Sequence, residues 1–186
     1  MWTLAYPVLA QLPVRQVARP HMQALANHAM GSVSLATRDG LQMVLIESCV
    51  NPKAVTRPDI GAVRGMGDTA IGMAYLAART GPEQTAMLAD LLALLPKTPA
   101  TVRQRHKAAI QTEMARHASH GYCLSRNEPG GTLAVGVPMR LQGDTTLSMN
   151  CVVAAHSTAE KRMTQDIGPR LVRLARDLEL LMGRQS

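Results

Sequence analysis

Phenylalanine is absent from the chain, tryptophan occurs once and tyrosine three times. Platforms for stacking the bases of single-stranded nucleic acid are therefore poorly supplied. Cysteine is scarce as well. Cys49, Cys123 and Cys151 are widely spaced and odd in number, which gives neither a disulfide framework nor a zinc-ligand pattern. Three buried thiols in a reducing cytoplasm are the expectation. No apolar run reaches the roughly 18 to 20 residues that a membrane span needs. The opening stretch Met1 to Pro13 has no basic n-region and no small-residue cleavage site, so it is not read as a signal peptide.

Catalytic signatures are also missing. There is no Gly-x-Ser-x-Gly, no Walker loop and no His-Glu-x-x-His. Gly65-Met66-Gly67 is a lone Gly-x-Gly without the rest of a dinucleotide fingerprint and reads as a tight turn. His117 and His120 are three apart at a predicted helix end, but a metal site needs a third ligand. Cys123 follows His120 closely, and no third group orients the two as a nucleophile and base. The reading is non-enzymatic, with no cofactor and no metal.

What remains is 186 residues with a 46% apolar and 18% charged composition, enough for one domain with a full core. The formal charge of +7 is spread along the chain, with only short clusters such as Arg103, Arg105 and Lys107. That distribution does not mark a nucleic-acid-binding face on this chain.

Val17, Met22, Leu25 and Ala29 form an apolar stripe that predicts a helix over residues 14–29, with a start or kink near Pro20. Runs at Ser32 to Arg38 and Leu41 to Glu47 flank Asp39-Gly40 and predict a hairpin. Residues 51–67, rich in Pro, Gly and Arg, read as loop with one short strand. Helices are predicted from Thr69 to about Ala78, from Thr80-Gly81-Pro82-Glu83 onward, and over residues 101–120 with Gly121 as C-cap. The third is expected to turn Val102, Ala109, Ile110, Met114 and His117 inward. In Leu133, Val135, Val137 and Met139 the odd positions are apolar, with small Ala134, Gly136 and Pro138 between them. After a turn at Gln142-Gly143-Asp144, Leu147, Met149, Cys151 and Val153 repeat the rule opposite Ser148 and Asn150. The period of two places these sets on opposite faces of a sheet. Ile167, Leu171, Leu174, Leu178 and Leu181 mark a closing amphipathic helix over residues 158–182. The order predicts an α+β domain, an antiparallel sheet flanked by helices.

These segments resemble the C-terminal domain of the IclR family over nearly the whole chain. Val17-Ala18-Arg19-Pro20-His21-Met22 resembles that family's Val-Ala-Arg-Pro-His-Leu, and Thr69-Ala70-Ile71-Gly72-Met73-Ala74-Tyr75-Leu76-Ala77 its Thr-Ala-x-Gly-Lys-Ala-x-Leu-Ala. Gly121-Tyr122, Gly136-Val137-Pro138-Met139, Leu147-Ser148-Met149-Asn150 and Ile167-Gly168-Pro169 follow in the family's order. The resemblance implies a GAF/PAS-like fold that binds a small organic effector, such as an aromatic or other carboxylic acid. It also implies a cytoplasmic homodimer or homotetramer that reaches operator DNA through a winged helix-turn-helix domain preceding this chain. Residues 1–13 would then be the end of an interdomain linker helix and residues 14–186 the effector domain. The alternative is a GAF-like oligomerisation or interaction module without a small ligand.

Mapped residue by residue, the resemblance implies a pocket of Met66, Gly67, Asp68, Ala70, Ile71, Ser125, Ala134, Ser148 and Asn150. Ala70 and Ile71 would offer backbone N–H groups at a helix start, a physically sensible anion site. The family's usual Asp, Cys and second Ser are here Ser125, Ala134 and Asn150, and its His or Tyr two residues before Thr69 is Gly67. These changes imply a roomier, less polar pocket. Asp68 would disfavour an anionic ligand if it points inward.

Overall fold

The computed structural model describes residues 13–95, 99–127, 131–142 and 145–183. Residues 1–12 of the expected linker-helix end, and Gly143-Asp144 of the Gln142-Gly143-Asp144 turn, lie outside them. The elements in chain order are α1 (Pro13–Ala29), β1 (Ser32–Asp39), β2 (Gln42–Val50), β3 (Val63–Gly65), α2 (Ala70–Ala77), α3 (Gly81–Ala93) and α4 (Ala100–His120). They are followed by β4 (Cys123–Asn127), β5 (Thr132–Arg140), β6 (Thr146–Ala154), α5 (Ala159–Arg162), a π-helical turn (Met163–Ile167) and α6 (Gly168–Gly183).

All six strands pair antiparallel in one sheet of order β3-β2-β1-β6-β5-β4. The α+β class read from the sequence is the class the chain adopts. The predicted hairpin forms one residue later than expected. Asp39 pairs with Gln42, so Gly40-Leu41 is the turn, with Gly40 at φ +57°. Glycine first in a two-residue turn is the II′ pattern, whose twist suits a hairpin.

The sheet's alternation divides the interior in two. On the outer face Val33, Leu35, Val135, Val137, Met149 and Cys151 pack under α1 and α6. On the inner face Ala36, Met43 and Leu45 pack with Met66, Ile71, Leu76 and Ile110 under α2, α3 and α4. A bulge opposite Leu35/Ala36 breaks the alternation of β2. It leaves Leu45 in the inner core, Ile46 in the outer one and Glu47 buried against Arg15 and Arg19 of α1.

α2 is apolar on every side, and residues 70–76 are all buried. It sits directly on β5 because position 136 lacks a side chain: a Cβ there would lie 2.1 Å from the Ala70 carbonyl oxygen. The small even positions of β5 thus form a trough for a helix. The C-terminal end of α2 is tied down by Arg140 Nη2 to the Ala78 carbonyl and Gln84 Nε2 to the Leu76 carbonyl, at 3.1 Å each.

Three expectations need correction. α1 does not start at Pro20 but runs through it from Pro13, with Pro20 on the exposed side. In α4 only Ile110 is fully buried, and Val102 and Ala109 are exposed. This helix lies against the domain along one narrow line. The closing helix is continuous from Ala159 to Gly183 but passes through a π turn, where Gly168 N–H bonds Met163 O, five residues back. Pro169 has no N–H for the ordinary bond one position on. The buried face then follows Ile167, Leu171, Ala175 and Leu178, and Leu181 is exposed.

Candidate functional site

At the N-terminal end of α2 the inner face of the sheet is not filled by side chains. A cavity of about 500 Å³ opens there, with a floor from the sheet centre: Ser34 of β1, Asn150 and Val152 of β6, Thr132 and Ala134 of β5. The start of α2 (Asp68, Thr69, Ala70) forms one wall. Edge strands β3 and β4 supply Arg64 and Ser125, Arg126 and Asn127, and the segment before β3 supplies Thr56 and Pro58. The two edge strands are at opposite ends of the sheet order, so the curl of the sheet brings Arg64 and Arg126 onto one cavity.

Of the residues singled out from the sequence, Asp68, Ala70, Ser125, Ala134 and Asn150 line this cavity. Met66 and Ile71 do not. Both are sealed in the inner core with Leu45, Leu76 and Ile110. Gly67 faces α3 and α4, where a Cβ would meet His106, Ile110 and Leu91. Ser148 points to the same face as Asn150 but lies one pleat further along, fully buried and outside the cavity lining. Its hydroxyl has no hydrogen-bond partner.

Of the Ala70 and Ile71 N–H groups expected to form an anion site at the start of α2, that of Ala70 is already bonded within the protein. Thr69 caps the helix through its side-chain oxygen, which accepts from Gly72 N–H. Ser125 Oγ, 55 residues on, accepts from Ala70 N–H at 2.9 Å. These contacts serve the orphan donors of a helix N-terminus. The Thr69 hydroxyl in turn donates to the Gly65 carbonyl.

The cavity is also more polar than the substituted positions implied. Hydroxyls and amides line much of it, with Arg64, Arg126 and Asp68 as the charged residues of the lining. Arg126 also pairs with Glu160 at 3.0 Å. Asp68 is exposed, and its carboxylate folds back over Gly65, where a Cβ would lie 2.0 Å from Oδ1. On the floor, Asn150 is only 8% exposed, and its Oδ1 is buried without a hydrogen-bond donor.

No nucleophile and base meet elsewhere in the positions weighed from the sequence. Cys123 is buried and its thiol donates to the Glu113 carbonyl, while exposed His120 bonds Ser119. Burial and the Glu113 charge push the Cys123 thiol far up. Among the described residues, no group of three His, Cys, Asp or Glu is placed to hold a metal. No helix among them is long and apolar enough to cross a membrane.

An all-apolar helix pinned across a curled antiparallel sheet, with a polar cavity at its start, defines a pocket-bearing α+β domain. The family model described as "Bacterial transcriptional regulator IclR C-terminal" matches residues 6–180, and the chain belongs to that family. It is 28% identical to the HTH-type transcriptional regulator TsaQ1/TsaQ2 of Comamonas testosteroni, over 96% of this chain and 65% of the relative. The chain thus spans just under two thirds of that relative's length. The IclR family regulator from Brucella abortus superposes with a TM-score of 0.87 at 28% identity, over 96% of this chain and 67% of that one. An IclR homolog from Microbacterium hydrocarbonoxydans, solved with 4-hydroxybenzoate, has the same fold with a TM-score of 0.76 at 23% identity. That match covers 100% of this chain and 74% of the other. The matched proteins are transcriptional regulators.

Proposed function

We propose that this domain is the effector sensor of a transcriptional regulator, and that a small organic acid binds in the cavity at the start of α2. Asp68, Ala70, Ser125, Ala134 and Asn150 contact it, together with Arg64 and Arg126. The observation that carries this reading is the cavity itself. Its volume of about 500 Å³ falls within the usual range for small-ligand pockets, and hydroxyl, amide and guanidinium side chains line it. The complex of a same-fold relative with 4-hydroxybenzoate makes aromatic acids the first compounds to try. Binding biases a DNA-binding segment N-terminal to this domain, in a homodimer or homotetramer, by favouring one of two arrangements.

The test is a thermal-shift and calorimetric screen of aromatic and aliphatic acids. Ligand at one hundred times Kd adds about 2.7 kcal/mol, or roughly 5–11 °C in Tm for a domain of this size. Ala134→Leu, which fills the cavity, should abolish the shift and leave the fold intact. If no acid moves the melting temperature at millimolar concentration, the sensor reading falls and the interaction-module reading takes its place.

A further inference from the structure

We infer that the trench between the end of α4 and α6 is a second binding site, for a small organic anion, separate from the cavity at the start of α2. It stands whether or not the effector reading does.

The trench exists because β4 stops short. Cys123, the first residue of β4, pairs with Gly136, so β5 beyond that point has no strand on its β4 side. The last turn of α4 and one face of α6 flank the gap and enclose about 460 Å³, a volume usual for small-ligand sites. No lining residue is shared with the cavity at the start of α2. A peptide strand is a poor occupant. Arg140 N–H points into the gap and is held there by Glu179 Oε1 at 2.6 Å. By alternation position 138 faces the same way, and Pro138 has no N–H. An edge blocked like this does not take another strand.

The charges favour an anion. Val137, Pro138, Val172 and Ala175 supply apolar surface, and the full charges are Arg140, Arg176 and Glu179. Arg140 gives Nη2 to the Ala78 carbonyl at 3.1 Å, which leaves most of its guanidinium donors open. Arg176 is exposed and has no hydrogen-bond or ion-pair partner among the described residues. Glu179, the one carboxylate of the lining, is turned to the Arg140 N–H. His117 and His120 complete the wall. His117 is half-buried, and burial with the Arg140 charge holds its pKa below the usual imidazole range. Its ring is therefore neutral at pH 7. The C-terminal end of α4 carries partial negative charge. The anionic group thus lies toward Arg140 and Arg176, and the apolar body lies along Ala175 and Val172. Any oxyanion suits a guanidinium fork, whether carboxylate, sulfonate or phosphate.

Imidazole NMR of the full chain separates the two cavities, because the one at the start of α2 has no histidine in its lining. The probes are benzenesulfonate and phenyl phosphate, with uncharged benzenesulfonamide as control. At least one anion should shift the His117 and His120 rings saturably at millimolar concentration and leave the other histidines in place. It should also raise the His117 pKa, because a nearby anion favours the charged ring. The charged and titratable groups around that ring are Arg140, Arg176, Glu179 and His120; Glu113, one turn earlier on α4, is paired with Arg116. Arg176→Gln, at an exposed position, should weaken binding about three- to tenfold. Glu179→Gln keeps an acceptor for the Arg140 N–H and should tighten binding about two- to threefold. The inference is overturned by no saturable shift at tens of millimolar, by equal shifts from benzenesulfonamide, by shifts spread over all the histidines, or by unchanged affinity in Arg176→Gln. None of these outcomes touches the effector reading.

Discussion

Ser125→Ala separates two roles that the Ser125 hydroxyl could play: helix cap and ligand contact. Its oxygen accepts from Ala70 N–H at 2.9 Å, and Ala70 is 1% exposed. Removing the acceptor of a buried donor costs about 1–3 kcal/mol. Ser125 is only half-buried and water can enter the cavity, so the lower part of that range applies, about 1–2 kcal/mol. For a domain of this size the ligand-free protein should melt roughly 2–8 °C lower by scanning calorimetry.

The same change exposes an N–H at the positive end of α2 to the cavity. A carboxylate can then take the place of the lost hydroxyl through a charge-assisted bond. Acid affinity by titration calorimetry should rise, by roughly five- to tenfold after partial compensation by water. The variant is therefore less stable when empty and binds acids better. Ser125→Asp is the complement. Its carboxylate keeps the cap, so the melting temperature holds or rises, but it adds negative charge to the lining and weakens acid binding. An unchanged melting temperature in Ser125→Ala would refute the capping argument. Weaker acid binding in that variant would mean that the hydroxyl's own contact with the ligand outweighs the freed N–H.

Gly136→Ala drives a Cβ into the Ala70 carbonyl, and overpacking of this kind costs about 1–3 kcal/mol; a drop in the denaturant midpoint with loss of acid binding is expected. Glu47 is buried against Arg15 at 3.3 Å and Arg19 at 2.9 Å. Glu47→Ala should cost about 2–3 kcal/mol by urea unfolding, below the value for a fully buried pair because Arg19 is largely exposed. Asp68→Asn removes a carboxylate from the cavity lining and should tighten acid binding about two- to threefold at low salt, with the gain fading as salt is added. Unchanged affinity would place Asp68 away from the ligand. All three thiols are buried, and desolvation pushes Cys151 up to about 12; a disulfide reagent should find none reactive in the folded chain and all three after unfolding.

The fold was legible where one local signal sufficed. The alternation in β5 and β6 assigns each residue to a face, and it holds throughout those strands. Thr69 announces α2, and Gly121 closes α4 at φ +82°. Legibility stops where the outcome depends on a second element. Ser148 and Asn150 share a face and a chemistry, and only the height of α2 above β6 decides that Asn150 lines the cavity and Ser148 does not. Ser125 and Ala70 are 55 residues apart, and no periodicity connects a strand residue to the N–H it caps. Arg64 and Arg126 went unnoticed because each is an ordinary charged residue on an edge strand. Their shared role arises from the curl of the sheet, which pattern alone does not give. The one available signal for Arg64 was its place in the Arg- and Gly-rich stretch just before the Thr69 cap.

The cavity persists as a consequence of how α2 is held. At one end of the inner face Met43, Leu45, Met66 and Ile71 fill the space between sheet and helix. At the other end the floor positions are Ser34, Ala134 and Asn150, too small to fill it. An apolar helix could in principle settle into that gap. It is stopped because its first turn already rests on the β5 backbone at Gly136, and its far end is tied to Arg140 and Gln84. Moving it down would mean a steric overlap with β5, and lifting it would expose seven buried residues. The depth of the floor is therefore set by backbone contacts and by side chains that are small. A void whose floor is fixed in this way keeps its volume when empty and is suited to receive a small ligand.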